Sequence, residues 1–503
     1  MLRLFYCTNF ATAFLYMNAN TSYNNSGGIF MEKGLLYYFN GNLQMGMEAT
    51  RHMIKICDDE RLRRSMLEDL HAYEKFENAL IRIKGKQFIK PISPMAEMGS
   101  QWAMDMKVMM NDSAENMAAM LAKGYEKAIK EVANGKVDKL NVPAQSKKVV
   151  TLKGFSYPVE NGKEYMLNVE FRLKSDEPLL KKEWMVAHEQ LQLTEYVYPT
   201  VEAIVAAEGD AVTEDVHVAC LILKGGDLTV TWNRWNGWIE YIDVDDTPMM
   251  EKGFALKPNF WRAPTDNDFG AGLQRRFADW KEPGLRMKKD GFKWTKEGNN
   301  VVVTAEYELP KLQCTLMMKY IVTADGQLIV NQSLKAGEDK EKKPHLFRFG
   351  MQMVMPEAYA NIEYYGKGPG ENYIDRNNDE TIGFYAQTVA EQYHPYVRPQ
   401  ESGNRTEVRY WRVLDKQGKG LEFYGTDALN ATALNYLQSD LDDGWEKDQR
   451  HSGDLTPRDF TVVSIDKQQF GLGSVNSWGA WPRREYQMPY GDYEYTFVIR
   501  SVK

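Results

Sequence analysis

The spacing of apolar residues divides the chain into two parts. Between residues 31 and 133, apolar side chains recur every three or four positions, in runs at 35–47, 62–80, 95–110 and 117–129. That period places them on one face of a helix, so four helices are predicted. Short links between them favour an antiparallel helical bundle over 31–133.

The rest of the chain follows the two-residue period of β-strands. Residues 164–173 alternate between apolar and more polar side chains, and shorter strand-like runs lie at 148–152 and 183–187. About 70 residues suffice for a small immunoglobulin-like module. An Ig-like β-sandwich is therefore predicted over 134–205.

Short strands continue from residue 206 to residue 503. Asn236-Gly237 is a hairpin signal between two of them. Long amphipathic helices do not alternate with the strands, which argues against a barrel of parallel strands and predicts a large antiparallel β-sandwich. The fold class is therefore mainly β with an N-terminal helical bundle. The predicted strands lie at 228–232, 238–242, 300–305, 315–322, 327–332, 347–354, 406–413, 420–424 and 493–499.

Amino-acid composition supports the same division of the chain into two parts, near residue 140. Before it lie 15 of the 26 methionines but only 1 of the 12 tryptophans and 2 of the 19 prolines. Proline interrupts helices, and aromatic residues suit sheets. The averages over all 503 residues, 43% hydrophobic and 26% charged, therefore mix two unlike parts.

Charge and cysteine usage narrow the classes of function. The net charge of −8 provides no general basic field for a phosphate backbone, so nucleic-acid binding is not expected. No apolar run is long enough to predict a transmembrane helix. The four cysteines are widely spaced, which fits neither a zinc site nor a disulfide framework and favours reduced thiols in the cytoplasm. They are Cys7, Cys57, Cys220 and Cys314.

Residues 1–30 are predicted to be a disordered leader. Arg3 precedes the apolar stretch 4–16, which a segment rich in Asn and Ser follows. A signal peptide and a start of translation at Met31 both remain open, and so does export of the protein.

The helical part contains one pair of residues with metal-ligand spacing. Glu68 and His71 form a Glu-x-x-His pair, which di-iron bundles use twice together with two further glutamates. No second pair occurs in 31–133. No metal site is predicted, and the function of the bundle stays unknown.

Four unusual motifs lie in predicted loops of the β part. By composition alone, Asp266, Asn267 and Asp268 in the first motif favour turn capping, because Asx side chains bond readily to nearby backbone. The motifs are Asn-Phe-Trp-Arg-Ala-Pro-Thr-Asp-Asn-Asp-Phe-Gly at 259–270, Tyr-Tyr-Gly-Lys-Gly-Pro-Gly-Glu-Asn-Tyr at 364–373, Tyr-Val-Arg-Pro-Gln-Glu-Ser-Gly-Asn-Arg at 396–405, and Gly-Leu-Gly-Ser-Val-Asn-Ser-Trp at 471–478.

Together these motifs closely resemble the C-terminal portion of glycoside hydrolase family 2 β-galactosidases. The resemblance covers residues 135–503 and does not extend to 31–133. It implies an Ig-like domain up to about residue 205, followed by the small-chain domain, a large sandwich like that of galactose mutarotase, over 206–503. It also implies hydrolysis of terminal β-galactosides such as lactose.

The resemblance assigns roles to particular residues. Trp478, in the family's Asn/Asp-Ser-Trp motif, would stack on the sugar at the mouth of the active site. Gly270 would begin the mobile loop over that site, with Gly272 keeping it permissive. Residues 266–268 would organise this loop rather than perform catalysis.

The catalytic parts of the family are missing from the resemblance. Retaining glycosidases use two carboxylates about 5–5.5 Å apart, and in this family both glutamates and the Mg²⁺ and Na⁺ sites belong to a barrel that no segment here resembles. The family's acid/base Glu follows Asn, and this chain has no Asn-Glu dipeptide. No catalytic residue, metal or cofactor is assigned. Glu371, Asp375 and Glu401 are interpreted as loop hydrogen-bonding residues, and the chain alone is predicted to be inactive.

Three hypotheses follow for the whole chain. It completes the sugar site of a separate large catalytic chain, it is a stand-alone carbohydrate-binding or structural protein, or it is a truncated or fused reading frame joined near residue 134. A homo-oligomer is also compatible, since a domain that covers a barrel exposes apolar surface without it.

Overall fold

The computed structural model describes residues 137, 142–143, 145–151, 157, 160, 162–473, 476 and 479–503. The predicted leader and helical bundle lie outside them. The chain divides into two compact units, Met1–Ser156 and Tyr157–Lys503, and the elements below belong to the second. Of the predicted strand at 148–152, residues 148–151 are described and form no strand. No described helix is long and apolar enough to cross a membrane.

A two-stranded antiparallel sheet comes first in the second unit. Strand β1 spans Met166–Arg172 and β2 spans Met185–Gln192, so both predicted strand positions are confirmed. An isolated pair of strands is marginally stable in water. This pair is tied to the later sandwich, because the Gln190 amide both donates to and accepts from the backbone of Ile382, at 2.9 and 2.7 Å. The Ig-like domain over 134–205 stays a prediction.

A five-stranded sheet follows a short helix, α1, at Val201–Val205. Strand β5 alternates strictly between buried and half-buried side chains, as a strand with one face on the core must. The turn between β5 and β6 contains Gly237 at a φ of +73°, which confirms the predicted hairpin. The strands are β3 Thr213–Val216, β4 Cys220–Gly225, β5 Leu228–Asn233, β6 Ile239–Val244 and β7 Thr247–Pro248.

The largest element is a twelve-stranded sheet in which every strand pairing is antiparallel. This confirms the predicted antiparallel architecture over the described chain. Its strands are β8 Lys257–Asn259, β9 Arg286–Glu297, β10 Asn300–Leu309, β11 Cys314–Val322, β12 Gln327–Lys335, β13 Arg348–Pro356, β14 Asn361–Gly368, β15 Thr381–Thr388, β16 Arg405–Leu414, β17 Gly420–Leu434, β18 Phe460–Gln469 and β19 Tyr493–Val502.

Short helices occupy the connections between these strands. None of the described ones exceeds six residues, so none serves as a βαβ crossover. They are α2 Asp266–Ala271, α3 Leu273–Arg276, α4 Val389–Gln392 and α5 Gln438–Leu441, with 3-10 turns at Ala278–Trp280, Lys340–Lys342, Ser452–Asp454 and Arg484–Tyr486.

Strand β17 makes the large sheet fold over on itself. Its first part, Gly420–Gly425, pairs with β19, and its last part, Asn430–Leu434, pairs with β18 instead. The ladder between β17 and β16 is irregular around Val408, where the strand bends. The four motifs lie at the end of β8, at the end of β14, before β16 and after β18.

The five-stranded sheet packs its buried face on the large sheet. Trp232 of β5 meets Tyr320 of β11 edge-on, with ring centroids 5.7 Å apart. Trp238 stacks on Tyr307 of β10 at 5.2 Å. These aromatic contacts belong to one continuous hydrophobic core that runs between the two sheets.

Candidate functional site

The first motif folds into the start of helix α2. The Thr265 hydroxyl accepts a hydrogen bond from the Asp268 amide at 3.2 Å, and the Asp268 carboxylate accepts one from the Thr265 amide at 2.8 Å. This reciprocal capping box satisfies two amides that a helix start leaves free. Gly272, at a φ of +67°, ends α2 in the left-handed conformation. Turn capping, the interpretation from composition, is therefore what Asp268 does.

A buried ion pair fixes α2 to the C-terminal motif. Arg262 donates to both carboxylate oxygens of Asp268, at 2.8 and 3.1 Å, and both side chains are almost fully buried. The same guanidinium donates to the carbonyls of Phe470 and Gly471. A planar, bidentate pair of this kind fixes orientation as well as distance.

Asn267 and Asp375 hold the peptide that follows Gly471 from two sides. The Asn267 amide donates to the carbonyls of Leu472, at 3.1 Å, and Gly473. The Asp375 carboxylate accepts from the backbone amides of the same two residues, each at 2.9 Å. Donors and acceptors of one short segment are therefore both satisfied, by a side chain of α2 and by one that follows the second motif.

Gly479 brings the far end of the C-terminal motif to the same helix. A Cβ atom placed on Gly479 would lie 3.0 Å from the carbonyl oxygen of Gly270, so the two backbones are in close contact. Gly270 itself is exposed and lies within α2. Trp478 lies outside the described residues, and its role in sugar binding stays a prediction.

The third motif packs on the other side of α2. The Gln400 side chain accepts from the Asp266 amide at 3.1 Å, and the Glu401 amide donates to the carbonyl of Ala263 at 3.1 Å. Asp266 also pairs with Arg398 at 3.6 Å. The first, third and fourth motifs, which are separated by up to about 100 residues of sequence, thus meet at one short helix.

Glu371, from the second motif, is engaged by the third. It accepts hydrogen bonds from the Gly403 amide at 2.8 Å, the Ser402 hydroxyl at 3.3 Å and the Tyr396 hydroxyl. Burial, with the Glu371 carboxylate beside it, raises the pKa of Tyr396 to about 12. The phenol therefore stays protonated and keeps donating. The role of Glu371 in this structure is to hold a loop.

Glu401 belongs to a buried charge cluster below the motifs. Arg348 donates to Glu401 at 2.7 Å and lies 3.2 Å from the carboxylate of Asp466 on β18. Burial raises the pKa of Asp466 to about 7, against the opposing effect of Arg348, and Glu401 adds to the rise. The cluster therefore takes up or releases a proton near neutral pH.

One loop of the site was not found from the sequence. Residues 442–447 lie against α2 and α3: the Trp261 indole donates to Asp442 at 2.8 Å, and Lys447 pairs with Asp266 at 2.6 Å. The signal available in the sequence was Asp-Asp-Gly-Trp at 442–445, a turn followed by an aromatic residue.

The donor set of the described residues does not fit a metal ion. Within them, no three His, Cys, Asp or Glu side chains converge in a way that could hold one. Asp266, Asp268, Glu371 and Asp375 are each occupied by protein donors. The arrangement can position loops and present hydrogen-bonding groups to a ligand.

The described fold is a large antiparallel β-sandwich module whose loop motifs meet beside one short helix. The family described as "Beta galactosidase small chain" matches residues 224–499, and "Beta-galactosidase, domain 4" matches residues 117–194. The chain belongs to the β-galactosidase small-chain family and is a β-galactosidase-like protein.

Individual β-galactosidases are similar in sequence to this chain. A β-galactosidase of Priestia megaterium is 30% identical over 360 residues, which cover 71% of this chain and 33% of that protein. A β-galactosidase of Lactobacillus delbrueckii subsp. bulgaricus is 29% identical over 318 residues, 63% of this chain and 30% of that protein. The chain thus spans about a third of the length of the relatives it matches.

A solved structure of galactose 1-epimerase from Lactobacillus acidophilus aligns with 58% of this chain and 98% of its own length. The TM-score is 0.27 and the identity 7%, too low to carry an assignment.

Proposed function

We propose that this chain supplies the C-terminal, non-catalytic part of a β-galactosidase and completes the sugar site of a large catalytic chain. The observation that carries the proposal is the meeting of three motifs at α2, with the second motif bound to the third, within the small-chain sandwich. The substrate class is terminal β-galactosides such as lactose. A homo-oligomer is the alternative assembly.

The proposed inactivity of the chain alone rests on its carboxylates. Retaining hydrolysis needs a free nucleophile and an acid about 5–5.5 Å apart. Glu371 and Asp375 accept hydrogen bonds from loop amides, and Glu401 is paired with Arg348. The catalytic pair would therefore come from the partner chain.

Each predicted residue has a place in this proposal. Trp478 stacks on the C–H face of the sugar. Gly473 and Gly479, on either side of it in the sequence, both contact α2. Asn267 then acts by positioning the segment that carries Trp478. Gly270 and Gly272, around the end of α2, are the residues at which the proposed mobile loop would bend.

The proposed location is the cytoplasm. Both described cysteines, Cys220 and Cys314, are free thiols, and Cys314 is buried. Free thiols are typical of a reducing compartment.

The test is reconstitution of activity from two chains. The full chain is mixed with a separately purified β-galactosidase barrel chain that lacks the small-chain region, and hydrolysis of o-nitrophenyl β-galactoside is followed. We expect neither component to be active alone and the mixture to be active. Trp478→Ala should raise KM of the mixture about tenfold, the loss expected for removing one stacking contact worth 1.4 kcal/mol.

Asn267→Ala tests the positioning role against a matched control. It removes the two bonds to Leu472 and Gly473, so KM should rise as it does for Trp478→Ala. Trp235→Ala, on a hairpin of the five-stranded sheet, should leave KM unchanged. Hydrolysis by the isolated chain, or a mixture that stays inactive although the chains associate, would contradict the proposal.

A further inference from the structure

Trp445 is a large aromatic side chain presented to solvent beside α2. It is 60% exposed. Among the described residues, its ring takes part in no aromatic or cation–π contact. A single exposed apolar side chain is ordinary on a protein surface. What separates Trp445 from such cases is the way its loop is built.

The chain before Trp445 is held by a buried carboxylate. Asp442 accepts from the Gly444 amide at 2.7 Å and from the Trp261 indole at 2.8 Å, and it pairs with Lys281 at 2.6 Å. The Asp442 side chain is only 3% exposed. Gly444 has a φ of +83°, a conformation that favours glycine.

The chain at and after Trp445 is held by α2 and α3. The buried Gln274 amide donates to the Trp445 carbonyl at 3.2 Å. The next two side chains, Glu446 and Lys447, pair with Arg275 and Asp266. The backbone is therefore fixed on both sides, while the indole is left uncovered. A fixed aromatic face is a pre-organised binding surface, because little entropy is lost when a ligand settles on it.

The charges around the indole select the ligand class. The two residues after Trp445 form a charge-balanced rim, because Glu446 pairs with Arg275 and Lys447 pairs with Asp266. A neutral ligand with an apolar face and many hydroxyls matches an exposed ring with such a rim. Pyranose rings have this chemistry: their C–H face packs on an aromatic ring, and their hydroxyls bond to neighbouring polar groups.

We propose that Trp445 is a second sugar platform, on which the saccharide unit linked to the galactose of a β-galactoside stacks. Its place beside α2, where three of the motifs meet, makes it continuous with the site described above. The choice of a galactoside as ligand rests on the proposed function. The binding itself requires only this chain.

The experiment observes the indole directly. The full chain is labelled with 5-fluorotryptophan and titrated with lactose, up to about 0.1 M, a concentration that detects even weak stacking. The ¹⁹F resonance of Trp445 is assigned by its loss in Trp445→Phe. The resonance of Trp235, a tryptophan that is 69% exposed, serves as the matched control. We expect the Trp445 resonance to shift saturably and the Trp235 resonance to stay in place.

Variants test whether the shift reports a stacking site. Lactose affinity, measured by saturation-transfer NMR, should fall about tenfold in Trp445→Ala and remain within about twofold in Trp445→Phe. Trp235→Ala should bind lactose normally. Unchanged ¹⁹F spectra of the other tryptophans show that each variant is folded.

Three outcomes would overturn the proposal. The first is a Trp445 resonance that does not move at the highest lactose concentration. The second is an equal loss of lactose affinity in Trp445→Ala and Trp235→Ala. The third is a Trp445→Ala chain that binds lactose normally but no longer associates with a catalytic chain. The last outcome would assign the residue to a protein contact. A failed two-chain reconstitution with an intact Trp445 shift would refute the proposed function and leave this platform standing.

Discussion

The ion pair between Arg262 and Asp268 gives the sharpest test of how the site is held together. We predict that Asp268→Asn strongly destabilises the sandwich. Asparagine keeps an oxygen that can accept from Thr265 in the capping box, but it removes the negative charge. The guanidinium of Arg262, which is fully buried, would then have no counter-charge.

The magnitude follows from burial. Removing one partner of a buried, hydrogen-bonded pair costs about 3–5 kcal/mol, because the remaining charge stays desolvated. Asp266 is the matched control on the same helix: its side chain is 41% exposed and pairs with Lys447. Loss of such an exposed pair costs about 0–1 kcal/mol.

The assay is urea unfolding of the full chain, followed by tryptophan fluorescence. We expect the unfolding midpoint to fall far more in Asp268→Asn than in Asp266→Asn, with little change in the slope of the transition. The double variant Arg262→Met, Asp268→Leu should recover much of the loss, because no isolated charge remains. An equal fall of the unfolding midpoint in Asp268→Asn and Asp266→Asn would refute the reasoning.

Two further predictions concern the strands below the site. Asp466, with a pKa raised to about 7, favours the folded state at low pH, and that stability is lost as pH rises through 7. The stability of Asp466→Asn relative to wild type should therefore increase as pH rises from 5 to 8. Parallel pH profiles of the two urea midpoints would contradict this. Gly350→Ala places a Cβ atom 1.8 Å from an Asp466 oxygen and should lower Tm by several degrees, whereas Gly453→Ala, with nothing within 4 Å, should not.

Strand β5 could be predicted because its sequence shows one buried face. β5 alternates strictly, and the Asn-Gly turn after it sets the hairpin. β18 was missed because several of its buried residues are polar, so its polar side chains do not mark an exposed face; they are Thr461, Ser464, Asp466 and Gln469. β9 was missed for the opposite reason: lysines and other polar residues occupy much of a mostly exposed strand.

The site shows the same division between local and long-range information. Capping by Asp268 follows from residues three positions apart, so sequence reasoning could find it. The loop at 442–447 depends on partners such as Trp261, which lies 181 residues before Asp442. No local pattern encodes that contact. The motif residues could therefore be named from the sequence, but their common meeting point at α2 could not.

The position of β19 in the sheet has a consequence for biogenesis. Tyr493–Val502 is synthesised after every other described strand, yet it lies between β12 and β17 in the middle of the twelve-stranded sheet. Until it emerges, both neighbours present open edges, which are prone to pairing with other chains. Closure of the sandwich therefore cannot precede the synthesis of residues 493–502, and a nascent chain halted before residue 493 would be a natural client for chaperones.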